Sequence, residues 1–254
     1  MSQEATGPGG RSFLGAAEAR IPAARLGVAV VHDLVSAIVT GEVAPGESLP
    51  PEDALSAHFG VSRTVIRESV KRIEEKGLVT VVQGRGTQAQ PSTSWNILDP
   101  VVLSALLEND SSLGVLDELA TVRSALEGSM SAEVATRRSD DELAQLRAAF
   151  ARMEETIDDD LAYQQADADF HTLVMTLSGN RLAENITNIL FQRARASNRF
   201  VGAPDRAAYE QTLTEHGRVL EAIETGDAAA AEAAMRTHII DAWMRRRPPN
   251  AKHG

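Results

Sequence analysis

The sequence predicts a mainly α-helical protein in two parts, an N-terminal winged helix-turn-helix over residues 25–90 and an all-helical bundle over residues 100–247. Three observations support this prediction. Strand-like alternation is confined to one stretch near residues 78–90, with a glycine-rich tip in its middle. Apolar residues elsewhere recur at the helical period of about 3.6. Residues 91–99 open with "PSTS", a composition typical of a linker between two such parts.

The N-terminal part is predicted to contain three helices followed by a β-hairpin. The helices cover residues 26–41, 51–59 and 63–76. Gly60 ends the second helix after about two turns, and Ser62 caps the third. "LVTVVQGRGTQAQ" then supplies two short strands around Gly84, Arg85 and Gly86, because glycine accepts positive φ at a hairpin tip. A short helix, a tight turn and a second helix are typical of a helix-turn-helix.

The chain after residue 99 shows helical patterns throughout. Asp99-Pro100 indicates a helix start, an N-cap residue followed by proline in the first turn. Helices are predicted at residues 100–109, 113–137, 139–156, 158–178, 181–197, 207–225 and 227–246. The second part is therefore expected to be an all-helical bundle.

Composition excludes several classes of protein. The chain has 254 residues, no cysteine and a net charge of −11, so neither a disulfide framework nor a thiolate metal site is possible. It contains no run of about 18 apolar residues, which argues against a membrane span. Residues 1–24 are polar and glycine-rich and lack the apolar segment of a signal peptide, so they are predicted to be a flexible leader of a cytoplasmic protein.

Basic side chains are concentrated in the predicted helix-turn-helix although the whole chain is acidic. Residues 61–90 contain six basic and three acidic groups, a local charge of +3, and screening over roughly 8 Å makes local charge matter more than the distant total. Arg63 and Arg67 lie one turn apart beside Thr64, and arginine can bond guanine O6 and N7 together or clamp a phosphate. Arg85 is placed to enter the minor groove or contact the backbone. An isolated arginine-rich helix is more often a solvated face, but in this setting it predicts binding to double-stranded DNA.

The segment "GEVAPGESLPPEDALSAHFGVSRTVIRESVKRIEEKGLVTVVQGRGT" resembles the winged helix-turn-helix of GntR-family bacterial transcription regulators. The resemblance lies in PG-x-x-L, then FGVSRT-x-x-RE, then GLV, then G-x-GT, and covers most of residues 26–90. It implies DNA contacts from the third helix and the wing, namely Arg63, Thr64, Arg67, Gly84, Arg85 and Gly86, to which the capping residue Ser62 is added. One position departs from the pattern: many members carry arginine directly after the glutamate of the short helix, where this chain has Asp53.

Three histidines and one aspartate lie on the inward faces of predicted bundle helices. In "LAYQQADADFHTLVMTLSGN" the helical period places Asp167 and His171 on the apolar face, one turn apart. The same reasoning places His216 inward in "YEQTLTEHGRVLEAIETG" and His238 inward in "AAEAAMRTHIIDAW". An unpaired carboxylate at such a position costs on the order of several kcal/mol, so it needs a partner. One carboxylate and three imidazoles from facing helices predict a site for a divalent transition metal.

The pattern alone leaves two interpretations of these histidines. Each could be hydrogen-bonded singly in the core, which is the commoner situation for any one buried histidine, but four matched positions favour a metal. Nitrogen and oxygen ligands suit zinc, with nickel, manganese or iron as alternatives. "DADFH", "SGN", "EHGRVLEAI" and "AAMRTHI" are similar to the FCD ligand-binding domain of FadR-type GntR regulators. The similarity spans roughly residues 101–246 and implies Asp167, His171, His216 and His238 as the metal ligands.

Arg123 lies on the apolar stripe of its predicted helix, where a buried guanidinium needs an anion. Glu127, four residues later, is one candidate partner, and the carboxylate of a bound ligand is the other. The segment "VRSALE" resembles the family's R-x-x-LE signature, which favours a pocket role for Arg123. An arginine beside a metal with open positions predicts a small organic acid as effector. "WNILDP" at 95–100 resembles members that respond to sugar acids.

The combined prediction is a homodimeric transcription regulator and not an enzyme. Two winged domains would bind the two half-sites of a pseudo-palindromic operator about one helical turn apart. A small carboxylate in the bundle would shift DNA affinity, and repression relieved by the effector is the family's usual direction. A regulator that senses the metal ion itself is the first alternative. A metal-dependent hydrolase is the second, disfavoured because the sequence has no H-E-x-x-H motif and no clear spare general base near the predicted ligands.

Overall fold

The computed structural model describes residues 23–197 and 206–247. Its N-terminal part contains helices α1 (Ala23–Val39), α2 (Glu52–Phe59) and α3 (Arg63–Glu75) and strands β1 (Val79–Val82) and β2 (Gly86–Ala89). Its second part contains α4 (Pro100–Asn109), α5 (Gly114–Arg137), α6 (Asp140–Thr156), α7 (Asp160–Ser178), α8 (Arg181–Ala196), α9 (Arg206–Thr225) and α10 (Ala228–Arg246). The predicted fold class is confirmed, and the helices end within about three residues of their predicted bounds. The predicted leader lies outside the described residues except for 23 and 24, which begin α1.

The turn between α2 and α3 has the geometry of a helix-turn-helix. Gly60 adopts φ 65°, a left-handed conformation that ends α2 without the strain a side chain would cause. The hydroxyl of Ser62 then accepts the N–H of Val65 at 3.4 Å and caps α3. Ile66 and Ile73 are fully buried on the core side of α3. Burial of this face fixes the opposite face of α3, with its arginines, toward solvent.

The predicted linker packs against the N-terminal part. Gly77 follows α3 with φ 76°, and a Cβ at this position would overlap the carbonyl oxygen of Ser94, so only glycine fits. The Trp95 indole N–H donates to the carbonyl of Gln90 at 2.9 Å. The Lys76 ammonium forms an ion pair with Asp99, the residue that caps α4. These contacts place the start of α4 directly behind the helix-turn-helix.

Helix α4 contributes side chains to two apolar cores. Val102 and Ala105, both fully buried, belong to the core formed with α1 and α3. Leu103 and Leu107 lie in a second cluster that includes Trp243 of α10 and side chains of α5 and α8. The helix therefore connects the N-terminal part to the bundle through packing on both of its faces.

The bundle is built around α5, which packs along α10 and contacts α7, α8 and α9. Its largest core cluster joins side chains of five helices and contains Phe170, Ile223 and Met235, all fully buried. Ser139 and Glu142 form a capping box at the start of α6, and Asp159 and Asp227 cap α7 and α10. In the described part of the chain, no helix combines the length and hydropathy needed to cross a bilayer.

Candidate metal centre and nucleic-acid interface

Four of the predicted site residues converge in the core of the bundle. Helix α7 supplies Asp167 and His171, α9 supplies His216, and α10 supplies His238, and one potential ligand atom from each lies within 4.8 Å of the others. The Nε2 atom of His171 is 3.2 Å from the Nε2 atoms of both His216 and His238. The three imidazoles are buried, with exposed fractions of 3% or less. The structure thus brings together residues that are up to 71 positions apart in sequence (167 to 238).

A backbone carbonyl fixes the protonation of His216. The Nδ1 atom of His216 lies 2.9 Å from the carbonyl oxygen of Thr212, one turn earlier on α9. A carbonyl oxygen can only accept, so Nδ1 carries the proton and donates it. Burial and then the neighbouring His238 lower the pKa of His216 well below its ordinary value, so the ring stays neutral. Its Nε2 atom therefore presents a lone pair to the centre of the cluster.

Glu127 joins His171 to Arg123. Its Oε2 lies 2.5 Å from His171 Nδ1, and its Oε1 accepts the Nε–H of Arg123 at 2.8 Å. Burial by itself would raise the pKa of Glu127, but Arg123 and His171 together lower it to about 2. The carboxylate is therefore ionised at neutral pH, and His171 donates to it from Nδ1. The Arg123 guanidinium also lies 3.8 Å from the ring centroid of Phe191, a cation–π contact.

Glu215 has the corresponding position beside His238. Its Oε2 lies 3.0 Å from His238 Nδ1, and Arg245 donates to both carboxylate oxygens at 2.7 Å. Burial opposes ionisation, but hydrogen bonds from His238 and Arg245 lower the pKa of Glu215 to about 2. Burial also lowers the pKa of His238, which keeps the ring neutral with its proton on Nδ1. The sequence did not reveal Glu215 and Arg245 as neighbours of His238. One signal was available, because Arg245 follows His238 by seven residues and so lies on the same face of α10.

The three histidines direct their Nε2 atoms toward one another. Those of His216 and His238 are unprotonated and carry lone pairs, and the Nε2 of His171 lies 3.2 Å from each of them. Nitrogen ligands of one zinc ion, each about 2.0–2.1 Å from it, lie about 2.8–3.4 Å apart in octahedral or tetrahedral geometry. The spacing of the three nitrogen atoms therefore fits a divalent transition metal.

Asp167 completes the cluster on its more open side. One carboxylate oxygen lies 3.6 Å from His216 Nε2, and the side chain is 18% exposed, more than any of the imidazoles. Burial would raise the pKa of Asp167, but the three histidines and Arg246 lower it, so the carboxylate is ionised. A charged oxygen at this position suits a metal ligand and places the accessible side of the cluster beside Asp167.

The predicted DNA-binding side chains form a separate surface on the N-terminal part. Arg63, Thr64 and Arg67 are exposed on α3, and the hairpin tip at Gly84–Gly86 is exposed as well. The Nε of Arg63 lies 2.7 Å from Oδ1 of Asp53, and the Nε of Arg67 lies 2.8 Å from Oε2 of Glu52. Glu52 and Asp53 lie outside residues 61–90, the segment with the local charge of +3. In the folded chain their negative charges offset part of that positive charge.

Comparison with known proteins identifies the family. The family model of bacterial regulatory proteins, gntR family, matches residues 26–88, and that of the FCD domain matches residues 118–241. Over 85% of its length the chain is 32% identical to the galactonate operon transcriptional repressor of Escherichia coli K12, with 94% of that protein covered. The chain belongs to the GntR family. Within that family it is a transcriptional regulator with an FCD domain, and the predicted resemblance is confirmed.

Further relatives agree with this assignment. The chain is 28% identical to the HTH-type transcriptional regulator LutR of Bacillus subtilis, and the match covers 80% of this chain and 93% of LutR. A solved structure of Lar, which controls expression of the agr system in Listeria monocytogenes, superposes with a TM-score of 0.54 over 87% of this chain and 96% of Lar, at 19% identity. The structural likeness supports the fold. Regulators of this family bind DNA operators through the helix-turn-helix.

Proposed function

We propose that this GntR-family protein is a repressor whose operator affinity is controlled by a small organic acid, bound beside a divalent metal ion in the bundle. The observation that carries the proposal is the convergence of three imidazole Nε2 atoms and one carboxylate in a buried site linked to Arg123 by Glu127. A site that can hold a cation and has an arginine one side chain away suits an anionic ligand.

The metal ligands in this proposal are Asp167, His171, His216 and His238. A bound ion would supply a positive centre with positions open to an oxygen ligand. Glu127 and Glu215 contact Nδ1 of their histidines, which fixes both rings and directs their Nε2 atoms to the centre of the cluster. Three nitrogens and one oxygen favour zinc, and metal analysis of the purified protein distinguishes it from nickel, manganese and iron.

Arg123 is the proposed partner of the acid. Within the described part of the chain, Glu127 engages its Nε–H, which leaves the fork of terminal nitrogens for a carboxylate. Sugar acids are the first class to test, because the E. coli relative is named as repressor of the galactonate operon, and galactonate is a sugar acid. A polyhydroxy acid offers both a carboxylate for Arg123 and oxygen atoms for the metal.

Operator binding is assigned to α3 and the wing of two copies of the chain. Arg63, Thr64 and Arg67 face solvent on a helix that is fixed by its buried side, as base reading requires. A homodimer would place two such helices on the half-sites of a pseudo-palindromic DNA sequence.

The acid is proposed to act on the DNA-binding part through α8 and α4. Arg123 lies over Phe191 of α8, and the neighbouring Leu190 packs in the cluster that holds Leu103 and Leu107 of α4. The other face of α4 lies in the core of the helix-turn-helix. A ligand that repositions Arg123 therefore changes contacts that continue to α3, and a coupling of about 1–3 kcal/mol would change operator occupancy many-fold.

The test combines thermal denaturation with operator binding, using the full-length protein in metal-loaded and chelated forms. Sugar acids and short carboxylates are screened for a rise in melting temperature, and the operator is obtained by selection from random duplex DNA. We expect at least one sugar acid to stabilise only the metal-loaded protein and to weaken operator binding by about 5–150-fold. Release of DNA by metal alone, with no effect of any acid, would instead favour a metal-sensing regulator.

Arg67→Ala is expected to weaken operator binding by about 1–3 kcal/mol and to relax the preference for one base pair in each half-site, because a bidentate base contact is lost. Fluorescence anisotropy with labelled operator measures the change. Arg147→Ala is the matched control, since Arg147 is an exposed arginine in an ion pair with Glu224 of the bundle. Equal affinities of Arg67→Ala and the wild type would remove Arg67 from the reading surface.

A further inference from the structure

Two carboxylates of α2 hold the two arginines at the N-terminal end of α3. Asp53 Oδ1 lies 2.7 Å from Arg63 Nε, and the two carboxylate oxygens of Glu52 lie 3.1 and 2.8 Å from Arg67 Nε. All four side chains are solvent-accessible, with exposed fractions between 41% and 69%. Exposed ion pairs contribute little to stability. The repeated arrangement on a DNA-binding face therefore points to a role in orienting the arginines.

Each carboxylate lies beside the Nε atom of its arginine, which bears on how the arginine can contact DNA. A guanidinium has five N–H donors in one plane, and it reads guanine by giving two of them to O6 and N7. A carboxylate beside Nε restrains the guanidinium and leaves the terminal nitrogens, which form the fork, for a second partner. A negative charge beside Arg63 also opposes the approach of a phosphate, whereas the edge of a guanine is uncharged.

We propose that Asp53 is a specificity-determining positioning residue, which holds Arg63 through Nε so that this arginine binds a base edge in preference to the DNA backbone. The proposal rests on the proposed operator-reading role of α3. Its consequence is specific to one base pair in each half-site, because Arg67 has its own carboxylate, Glu52.

A simpler role for Asp53 makes different predictions. Asp53 and Glu52 both lie in the first turn of α2, where negative charge stabilises a helix through its dipole. A residue that acts only in this way would change the stability of the N-terminal part, and it would affect all base contacts of α3 equally. Base preference at a single position is therefore the observable that separates positioning from helix stabilisation.

The experiment selects binding sites from random duplex DNA with the full-length protein, comparing the wild type with Asp53→Ala, Arg63→Ala, Arg67→Ala and the double variant of Asp53 and Arg63. The two single arginine variants identify the base pair that each arginine reads. Asp53→Ala is expected to reduce the preference at the Arg63 position by about 5-fold or more and to leave the Arg67 position unchanged. Adding Asp53→Ala to Arg63→Ala is expected to change nothing further at that position, because Asp53 acts through Arg63.

Two variants control for charge and shape. Glu68→Gln removes the same charge from an exposed position of α3 itself, and it is expected to leave the preference at the Arg63 position intact. Asp53→Asn keeps the size of the side chain but removes its charge, and it is expected to lose the preference to the same extent as Asp53→Ala, because Asp53 acts through its ion pair with Arg63. On non-specific DNA, Asp53→Ala should steepen the slope of log K against log salt by about 1, since Arg63 gains a phosphate contact.

Several results would overturn the proposal. They are an unchanged preference at the Arg63 position in Asp53→Ala, an equal loss at every position, or a further loss in the double variant. A loss in Glu68→Gln as large as in Asp53→Ala, or a full preference retained in Asp53→Asn, would overturn it as well. Failure of the wild-type protein to select any motif would overturn the proposed operator-reading function itself, and that outcome is recognised before any variant is compared.

Discussion

Glu127→Ala is expected to lower the free energy of unfolding of the bundle by about 3–5 kcal/mol, because it leaves the buried Arg123 without its counter-ion. The same change removes the acceptor that holds the proton on His171 Nδ1. Affinity for the metal should therefore fall by about 10–100-fold as well. Both effects have one origin, since a single carboxylate connects Arg123 to His171, the proposed metal ligand.

Urea denaturation of the chelated protein measures the loss of stability. The chain has two tryptophans, and a Trp95→Phe background leaves Trp243, buried on α10, as reporter of the bundle. Glu133→Ala is the matched control, because Glu133 also pairs with an arginine four residues away on α5 but is exposed. We expect the control to cost less than about 1 kcal/mol. A Glu127→Ala protein as stable as the control would show that Arg123 does not depend on this carboxylate.

His216→Ala is expected to abolish stoichiometric metal binding. His216 is fully buried, its Nε2 lies 3.2 Å from that of His171, and its Thr212 hydrogen bond fixes the tautomer that a ligand requires. Loss of His216 leaves two imidazoles and one carboxylate, a weaker set of ligands from which the metal is expected to be lost on dialysis. The melting temperature should then no longer respond to added metal, and no acid should weaken operator binding, while DNA binding itself is retained.

Elemental analysis after dialysis against trace metal gives the readout for this variant. His58→Ala, which removes an exposed imidazole from α2, is the control and should keep the metal content of the wild type. If His216→Ala bound metal at the wild-type ratio, the assignment of His216 as a ligand would be wrong. Retained operator binding in the same preparation shows that the N-terminal part is still folded.

The fold could be predicted closely because its signals are local. The helix starts after Ser62 and Asp99 follow from these capping residues, and both caps are present in the structure. Strands were expected only at the hairpin, and the sheet in the described residues consists of β1 and β2. The inward positions of the histidines also follow from local information, since each depends only on the apolar stripe of its own helix.

Contacts between distant helices could not be predicted in the same way. The link from Glu127 to His171 spans 44 residues and that from Arg245 to Glu215 spans 30. Each depends on how two helices cross, which no single-helix pattern specifies. The sequence left Arg123 with two candidate partners, and the structure shows that Glu127 contacts both Arg123 and His171. The packing of α4 on two sides could likewise not be predicted, because a ten-residue helix between two cores is apolar on both faces and shows little amphipathic pattern.

Thermodynamic reciprocity tests the central claim most directly. If occupancy of the site at His171, His216 and His238 is coupled to operator binding, the acid and the operator must weaken each other by the same factor. Calorimetric titration of the acid into the metal-loaded protein, with and without saturating operator, measures this factor from the side of the bundle. We predict an affinity about 5–150-fold lower with operator present, equal to the loss of operator affinity caused by the acid. Identical acid affinities in the two titrations would contradict the account.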